Sequence, residues 1–155
     1  MLEDICISLE TARKLVEAGI KIESYFFWVH TYGFDIESKW EIRTMKELIV
    51  LGLDQEIEDD VHEVALFEVY PAPTAEELWE LLPFCIGKKP NSDLTPYMKD
   101  VTLGGIAYWD RESKEILHLI VIKSTLCESF AKMAIWLKQN GYCVGGERSA
   151  EASRL

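Results

Sequence analysis

One group of residues has the composition of a magnesium-dependent nuclease site. Glu112 and Lys114 are separated by one serine, and an aspartate, Asp100 or Asp110, precedes them. In such sites two carboxylates hold Mg²⁺ and the lysine orients the attacking water. The chemistry also requires the Glu-x-Lys segment to lie on a central strand beside the first aspartate. Here we expect the segment in a hairpin loop, and Glu37-Ser-Lys39 repeats the pattern, so the motif has low specificity.

A cysteine and a histidine form a second candidate pair. Cys127 is predicted at a helix N-terminus, where the thiolate form is favoured, and His118 precedes it in the chain. A thiol beside an imidazole could supply the nucleophile and the base of a small hydrolase. The alternative is a buried, unreactive cysteine. The enzyme hypothesis is therefore a hydrolase using Cys127 and His118, or a nuclease using Asp100, Glu112 and Lys114.

Other metal and cofactor motifs are incomplete. The segment from Asp54 to Asp60 resembles the start of a calcium loop, but its sixth position is Asp59 instead of glycine and its twelfth is Ala65 instead of glutamate. The three histidines and four cysteines lack zinc-site spacing, and there is no P-loop, GxGxxG or GxSxG sequence. We therefore expect no dedicated metal site and no cofactor.

Negative charge is concentrated in one part of the chain. There are 27 acidic residues against 16 lysines and arginines, a formal net charge of -11, and residues 47–87 contain eleven acidic residues with no lysine or arginine. Nucleic-acid backbones are bound mainly by lysine and arginine clusters, so direct nucleic-acid binding is not expected. This acidic stretch (residues 47–87) is either a solvated face or a docking surface for a basic protein partner. The interaction candidates within it are Asp54, Glu56, Glu58, Asp59 and Asp60.

Two tryptophans are further interaction candidates. Trp79 and Trp136 fall outside the predicted inner faces of their helices. Partly exposed tryptophan is enriched at binding hot spots. The alternative is that both rings close the sides of a small core, because tryptophan is rarely buried completely.

Length and composition predict a single compact domain. Of 155 residues, 48% are apolar and 28% charged, and we expect one domain over residues 1–144 with a disordered tail over residues 145–155. The four cysteines form no CxxC pair, and with no leader peptide expected they predict reduced thiols in a cytosol. The apolar stretch of residues 48–53 is far shorter than the roughly 20 residues of a membrane-spanning helix, so none is expected.

Three helices are predicted from N-cap residues that precede apolar segments with helical spacing. Thr74 and Thr125 are each followed three residues later by a glutamate, the spacing of a capping box. Ser8 precedes the first helix, and Gly19 can adopt the left-handed conformation that ends it. The third helix is predicted over residues 126–140.

Strands are predicted between these helices, where aromatic and β-branched residues cluster: residues 24–30, 40–43, 63–70, 105–109 and 115–122. The last two are expected to form a hairpin. Together with the helices, they predict an α+β domain in which a mainly antiparallel sheet of about four strands carries three helices on one face.

Two segments give weaker signals. Residues 48–53 fit a short helix or a strand, because Thr44 and Glu47 also have capping-box spacing. Residues 87–102 contain two prolines and are predicted to form a long surface loop.

The order of caps and core positions resembles a family of small uncharacterised proteins of phages, prophages and gut bacteria. The matching segments are Ser8-Leu9-Glu10-x-Ala12-x-x-Leu15, Ser24-x-Phe26-x-Trp28, Tyr70-Pro71-Ala72-Pro73-Thr74-x-x-Glu77-Leu78-x-x-Leu81-Leu82-Pro83 and Ala134-x-Trp136-Leu137-x-x-x-Gly141-Tyr142. The resemblance implies an accessory protein of a mobile element in the bacterial cytoplasm. It carries no catalytic residue over to this chain.

The sequence therefore favours a non-enzymatic interaction or regulatory protein that acts through its acidic stretch and exposed aromatic residues. Its expected partner is a protein of basic character, and a homo-oligomer is left open. The small hydrolase or metal-dependent nuclease is the alternative.

Overall fold

A computed structural model describes residues 1–31, 39–50, 67–87, 96–102 and 104–145. Within these ranges the helices are α1 (Leu2–Ile5), α2 (Leu9–Glu17), α3 (Met45–Val50), α4 (Ala75–Leu81) and α5 (Leu126–Gln139). The strands are β1 (Phe26–Thr31), β2 (Trp40–Thr44), β3 (Phe67–Pro71), β4 (Cys85–Ile86), β5 (Tyr97–Thr102), β6 (Gly105–Trp109) and β7 (Ile116–Val121). In the described part of the chain, no helix is both long and apolar enough to cross a membrane.

The described strands form two antiparallel sheets, with orders β2-β1-β3 and β4-β5-β6-β7. The α+β class is confirmed, but the expected single sheet of about four strands is replaced by two sheets. The pairing of β1 explains the division. Trp28 lies opposite Ile42 of β2 on one side and Tyr70 of β3 on the other. Both edges of β1 are therefore occupied, and β6 pairs with β5 and β7 instead.

The predicted loop over residues 87–102 is wrong at its C-terminal end, where β5 forms. Lys99 interrupts the apolar pattern of this strand, yet its ammonium donates to the carbonyl oxygens of Trp79 at 2.7 Å and Leu82 at 3.0 Å. The Tyr97 hydroxyl donates to Glu115 at 2.7 Å. The strand thus depends on contacts with distant residues, which a local pattern does not reveal.

The predicted hairpin of β6 and β7 is confirmed. In its turn, the buried Asp110 carboxylate accepts hydrogen bonds from the Glu112 N–H at 2.9 Å and the Ser113 hydroxyl at 2.7 Å. Aspartate commonly stabilises turns in this way. A β-bulge lies next to the turn, where Trp109 pairs with Ile116 and Tyr108 pairs with His118.

The three predicted N-caps are confirmed. Ser8, Thr74 and Thr125 each accept a hydrogen bond from the N–H three residues later, at 3.3, 3.4 and 3.3 Å. Gly19 has φ +73°, and the Ile20 N–H donates to the Leu15 carbonyl at 3.1 Å, so α2 ends with the expected left-handed residue.

The capping box of Thr44 and Glu47 also forms. The Thr44 N–H donates to Glu47 at 2.7 Å, and the Glu47 N–H donates to the Thr44 hydroxyl at 3.2 Å. Because both bonds satisfy donors of the first turn, the ambiguous segment begins as helix α3. Residues 51–53 lie outside the described residues, as do residues 63–66 of the predicted third strand.

The largest core cluster joins α2, α4, α5 and the sheet containing β6. Its fully buried members include Leu15, Leu78, Ile106, Met133 and Leu137. A smaller cluster of Phe27, Val29 and Leu48 packs α3 against the other sheet.

Two glutamates connect helix N-termini to distant parts of the chain. The Glu128 carboxylate in α5 accepts hydrogen bonds from the Ser8 N–H and the Thr11 hydroxyl in the first turn of α2. The Glu77 carboxylate in α4 accepts from the Thr74 N–H at 2.7 Å and from the Tyr25 N–H at 2.8 Å. Each carboxylate therefore fixes one element against another as well as stabilising a helix end.

The caps can be tested individually. We expect Thr74→Ala or Thr125→Ala to lower the free energy of unfolding by about 0.5–2 kcal/mol, because each leaves a helix N–H without its side-chain acceptor. Chemical denaturation measures this loss. Lys132→Ala, on the exposed side of α5, is the control and should have little effect; equal stability of all three variants and the unmodified protein would show that the caps contribute nothing.

The link between α5 and α2 gives a larger expected effect. Glu128→Ala removes the acceptor of two hydrogen bonds from α2, and hydrogen bonds to charged groups are each worth about 1.5–3 kcal/mol. We expect thermal unfolding at a clearly lower temperature, with partial recovery in Glu128→Gln, which keeps one acceptor oxygen. Glu17→Ala, an exposed glutamate at the end of α2, should leave stability unchanged. A loss no greater than that of Glu17→Ala would contradict the assignment.

Candidate functional site

The nuclease candidates are partly brought together, around one indole ring. Asp100 accepts hydrogen bonds from Trp109 Nε1 at 3.1 Å and from Arg111 at 3.2 Å. The Lys114 ammonium lies 5.3 Å from the Trp109 ring centroid, whereas Glu112 is exposed in the turn. Asp100 is therefore paired with a cation rather than a second carboxylate. Among the described residues, no group of three or more histidines, cysteines or acidic residues could hold a metal ion.

The two members of the proposed hydrolase pair contact other residues. Cys127 is 2% exposed, and its Sγ lies 3.0 Å from the Thr125 hydroxyl. The His118 ring stacks on Trp136, with centroids 3.9 Å apart and planes 3° from parallel. Nearby Cys6 is also buried, and its burial, with smaller contributions from Cys127 and Glu77, raises the pKa of its thiol to about 11. A thiol with this pKa is protonated at neutral pH and is a poor nucleophile.

The two candidate tryptophans are partly buried against the core. The Trp79 ring lies 5.4 Å from Phe130, with the Lys99 ammonium 3.9 Å from its centroid. Trp136 lies between His118 and Tyr142, whose centroid is 5.9 Å away. Both rings thus close the sides of the largest core cluster, which is the packing alternative considered for them.

The acidic stretch has structural and exposed members. Asp54, Glu56, Glu58, Asp59 and Asp60 lie outside the described residues. Glu47 and Glu77 cap helices, and the hydrogen bonds from Thr44 lower the pKa of Glu47. Glu68, Glu76 and Glu80 are exposed. Part of the acidic charge is therefore required for capping, and the exposed remainder is available to a partner.

Three carboxylates border an open cleft of about 970 Å³ between the segment after α2, helix α4 and the end of α5. Glu77 and Glu80 belong to the acidic stretch, whereas Glu23 comes from the segment that precedes β1. The remaining lining comprises the apolar side chains Ile20, Ile22, Leu81 and Val144, the glycines Gly19 and Gly145, and the lysines Lys21 and Lys138. The cleft combines an apolar floor with charged groups at its border.

The close approach of α4 and the segment after α5 shapes this cleft. The Gly145 N–H donates to the Leu81 carbonyl at 2.9 Å, and a Cβ at Gly145 would lie 2.6 Å from Leu81 Cδ1. Gly145 also has φ +69°, a conformation that favours glycine. Sequence reasoning missed Glu23 and the cleft, because residues from three separated segments of the chain meet there.

A comparison of the chain with protein-family models, curated proteins and solved structures finds no match. The geometry described above is therefore the basis for a functional proposal.

The stacked histidine makes stability depend on pH. Burial lowers the pKa of His118 below its ordinary value of 6.5, so the unfolded chain binds a proton at a higher pH than the folded chain. The stability that this contributes is complete above pH 6.5 and is lost as the pH falls through the folded-state pKa. We expect His118→Gln to flatten the decrease in unfolding free energy between neutral and mildly acidic pH, as measured by urea denaturation. An unchanged slope would contradict this role.

Proposed function

We propose that this chain is a non-enzymatic regulatory protein that binds a basic segment of a partner protein in the cleft bordered by Glu23 and Glu80. The observation that carries the proposal is the combination, in one open cleft, of exposed carboxylates with an apolar floor. Lysine and arginine side chains match this surface, because their aliphatic stems pack on apolar groups while their charged heads reach carboxylates.

The cleft has its own selectivity. Lys21 and Lys138 also border it, so the local charge is mixed and a uniformly positive segment would meet repulsion at these two positions. A segment in which basic and apolar residues alternate avoids that repulsion and still contacts Ile20 and Leu81. Binding therefore depends on where the partner's charged residues lie along its segment. Charged groups at interfaces commonly provide specificity in this way.

The charge of the whole chain favours the same class of partner. A net charge of -11 attracts a basic protein over long distances and raises the association rate, and this attraction is screened by salt. It also disfavours nucleic-acid backbones. The resemblance to small phage, prophage and gut-bacterial proteins supports a role as a regulator in a mobile element, within the bacterial cytoplasm.

A defined peptide tests the cleft directly. We expect titration with a short peptide of alternating lysine and leucine to shift the amide NMR signals of Glu23, Glu80 and Leu81 more than those of other residues. The double variant Glu23→Gln/Glu80→Gln should weaken binding about two- to thirtyfold, because it removes two exposed ion pairs that are each worth roughly 0.2–1 kcal/mol. Glu17→Gln, outside the cleft, is the matched control and should bind as the unmodified protein does.

Ionic strength provides a second readout of the same binding. The association rate should fall as salt increases, while an alternating glutamate and leucine peptide should not bind. Shifts spread evenly over the acidic surface, or equal affinity of the double variant and the control, would overturn the cleft as the binding site. Binding of a DNA duplex would overturn the proposed partner class.

A further inference from the structure

The described part of the chain ends at the cleft. Gly145 is its last residue and lines the cleft, and the Gly145 N–H donates to the Leu81 carbonyl at 2.9 Å. Residues 146–155 (the C-terminal segment) follow and lie outside the described residues. A chain advances at most about 3.3–3.6 Å per residue, so the backbone of Arg148 is within about 11 Å of Gly145. Covalent attachment alone therefore keeps the first residues of this segment close to the cleft.

The C-terminal segment has charges that match those of the cleft. Its sequence is Gly-Glu-Arg-Ser-Ala-Glu-Ala-Ser-Arg-Leu, in which Glu147 and Glu151 alternate with Arg148 and Arg154. The border of the cleft also carries both signs, from three carboxylates and two lysines. A segment of alternating sign can place its arginines at the carboxylates without placing all of its charge against the lysines.

Glu80 is the carboxylate that lies beside the attachment point. It directly precedes Leu81, whose carbonyl accepts from Gly145, and it is exposed. The contact is close, because a Cβ at Gly145 would lie 2.6 Å from Leu81 Cδ1. This anchor fixes where the C-terminal segment begins relative to Glu80. Arg148 is the first basic residue after the anchor, and arginine commonly binds a carboxylate through two parallel hydrogen bonds.

We propose that the C-terminal segment binds the cleft of its own chain, with Arg148 at Glu80, and competes there with the partner's segment. An attached segment has an effective concentration of the order of millimolar at a site it can reach, so weak contacts are enough to occupy the cleft. The partner then binds with an apparent affinity reduced by the fraction of clefts that are free. The competition rests on the proposed function, whereas docking of the segment is measured without any partner.

Reversal of the two arginine charges tests the docking in the full chain. Arg148→Glu/Arg154→Glu should shift the amide NMR signals of the cleft, because the segment then leaves it. Lys123→Glu/Lys132→Glu is the control, since it changes the net charge equally at exposed positions outside the cleft, and it should leave those signals in place. Circular dichroism checks that both variants keep the fold. Equal spectra of the cleft in both variants and the unmodified protein would overturn the proposal.

Exchange of charges separates a direct contact from a general change of charge. Glu80→Arg and Arg148→Glu should each shift the signal of Glu23, and the double variant Glu80→Arg/Arg148→Glu should restore it, because the pair forms again with its charges exchanged. Simple addition of the two shifts would contradict the contact. Shifts that depend on protein concentration would also overturn the proposal, because the segment would then bind the cleft of a second copy.

Competition is measured with the alternating lysine and leucine peptide. Arg148→Glu/Arg154→Glu should bind this peptide about three- to tenfold more tightly than Lys123→Glu/Lys132→Glu does, because the two variants have the same net charge and differ in the occupied fraction of the cleft. Equal affinity would overturn the competition. If neither variant binds the peptide while charge reversal at the two arginines still shifts the cleft signals, the proposed partner is wrong and the docking of the segment stands.

Discussion

The carboxylate of Glu128 holds together the two longest described helices of the protein. It accepts from the Ser8 N–H and the Thr11 hydroxyl, residues 120 and 117 positions away in the chain, while its own N–H donates to Thr125. One residue thus takes part in the N-terminal hydrogen bonding of α2 and α5 at once. Because α5 buries seven of its residues against α2, α4 and the sheet containing β6, its orientation determines where the other elements of the core lie.

Glu77 connects helix α4 to the sheet that contains β1. It caps α4 and also accepts the Tyr25 N–H just before β1, and Trp28 Nε1 in β1 donates to the Ile7 carbonyl at 2.9 Å before α2. The acidic composition of the chain therefore has a structural component, since unpaired N–H groups at helix ends favour carboxylates. Only the acidic groups outside these caps, such as Glu23 and Glu80, can serve a partner without loss of stability.

The sequence predicted those features that depend on residues close together in the chain. Ser8, Thr74 and Thr125 act on N–H groups within their own first turn, and Asp110 stabilises a turn between adjacent strands, so their effects follow from spacing alone. The division into two sheets, strand β5 and the cleft depend on contacts between distant segments, such as Lys99 with Trp79 and Gly145 with Leu81. For the candidate site, Glu77 and Glu80 belong to the acidic stretch, but the acidic residues that the sequence singled out as interaction candidates, residues 54–60, lie outside the described residues. The meeting of Glu77 and Glu80 with Glu23 follows from no local pattern.

Helix α5 connects the cleft to the four-stranded sheet. Lys138 borders the cleft, and two residues earlier Trp136 stacks on His118 of β7. Since half of the residues of α5 are buried, among them Leu137 between these two, the Lys138 end of the cleft keeps a fixed relation to the sheet. The core packing of α5 therefore determines where one of the charged groups at the cleft lies, and the arrangement of these groups is what a partner segment of alternating basic and apolar residues would recognise.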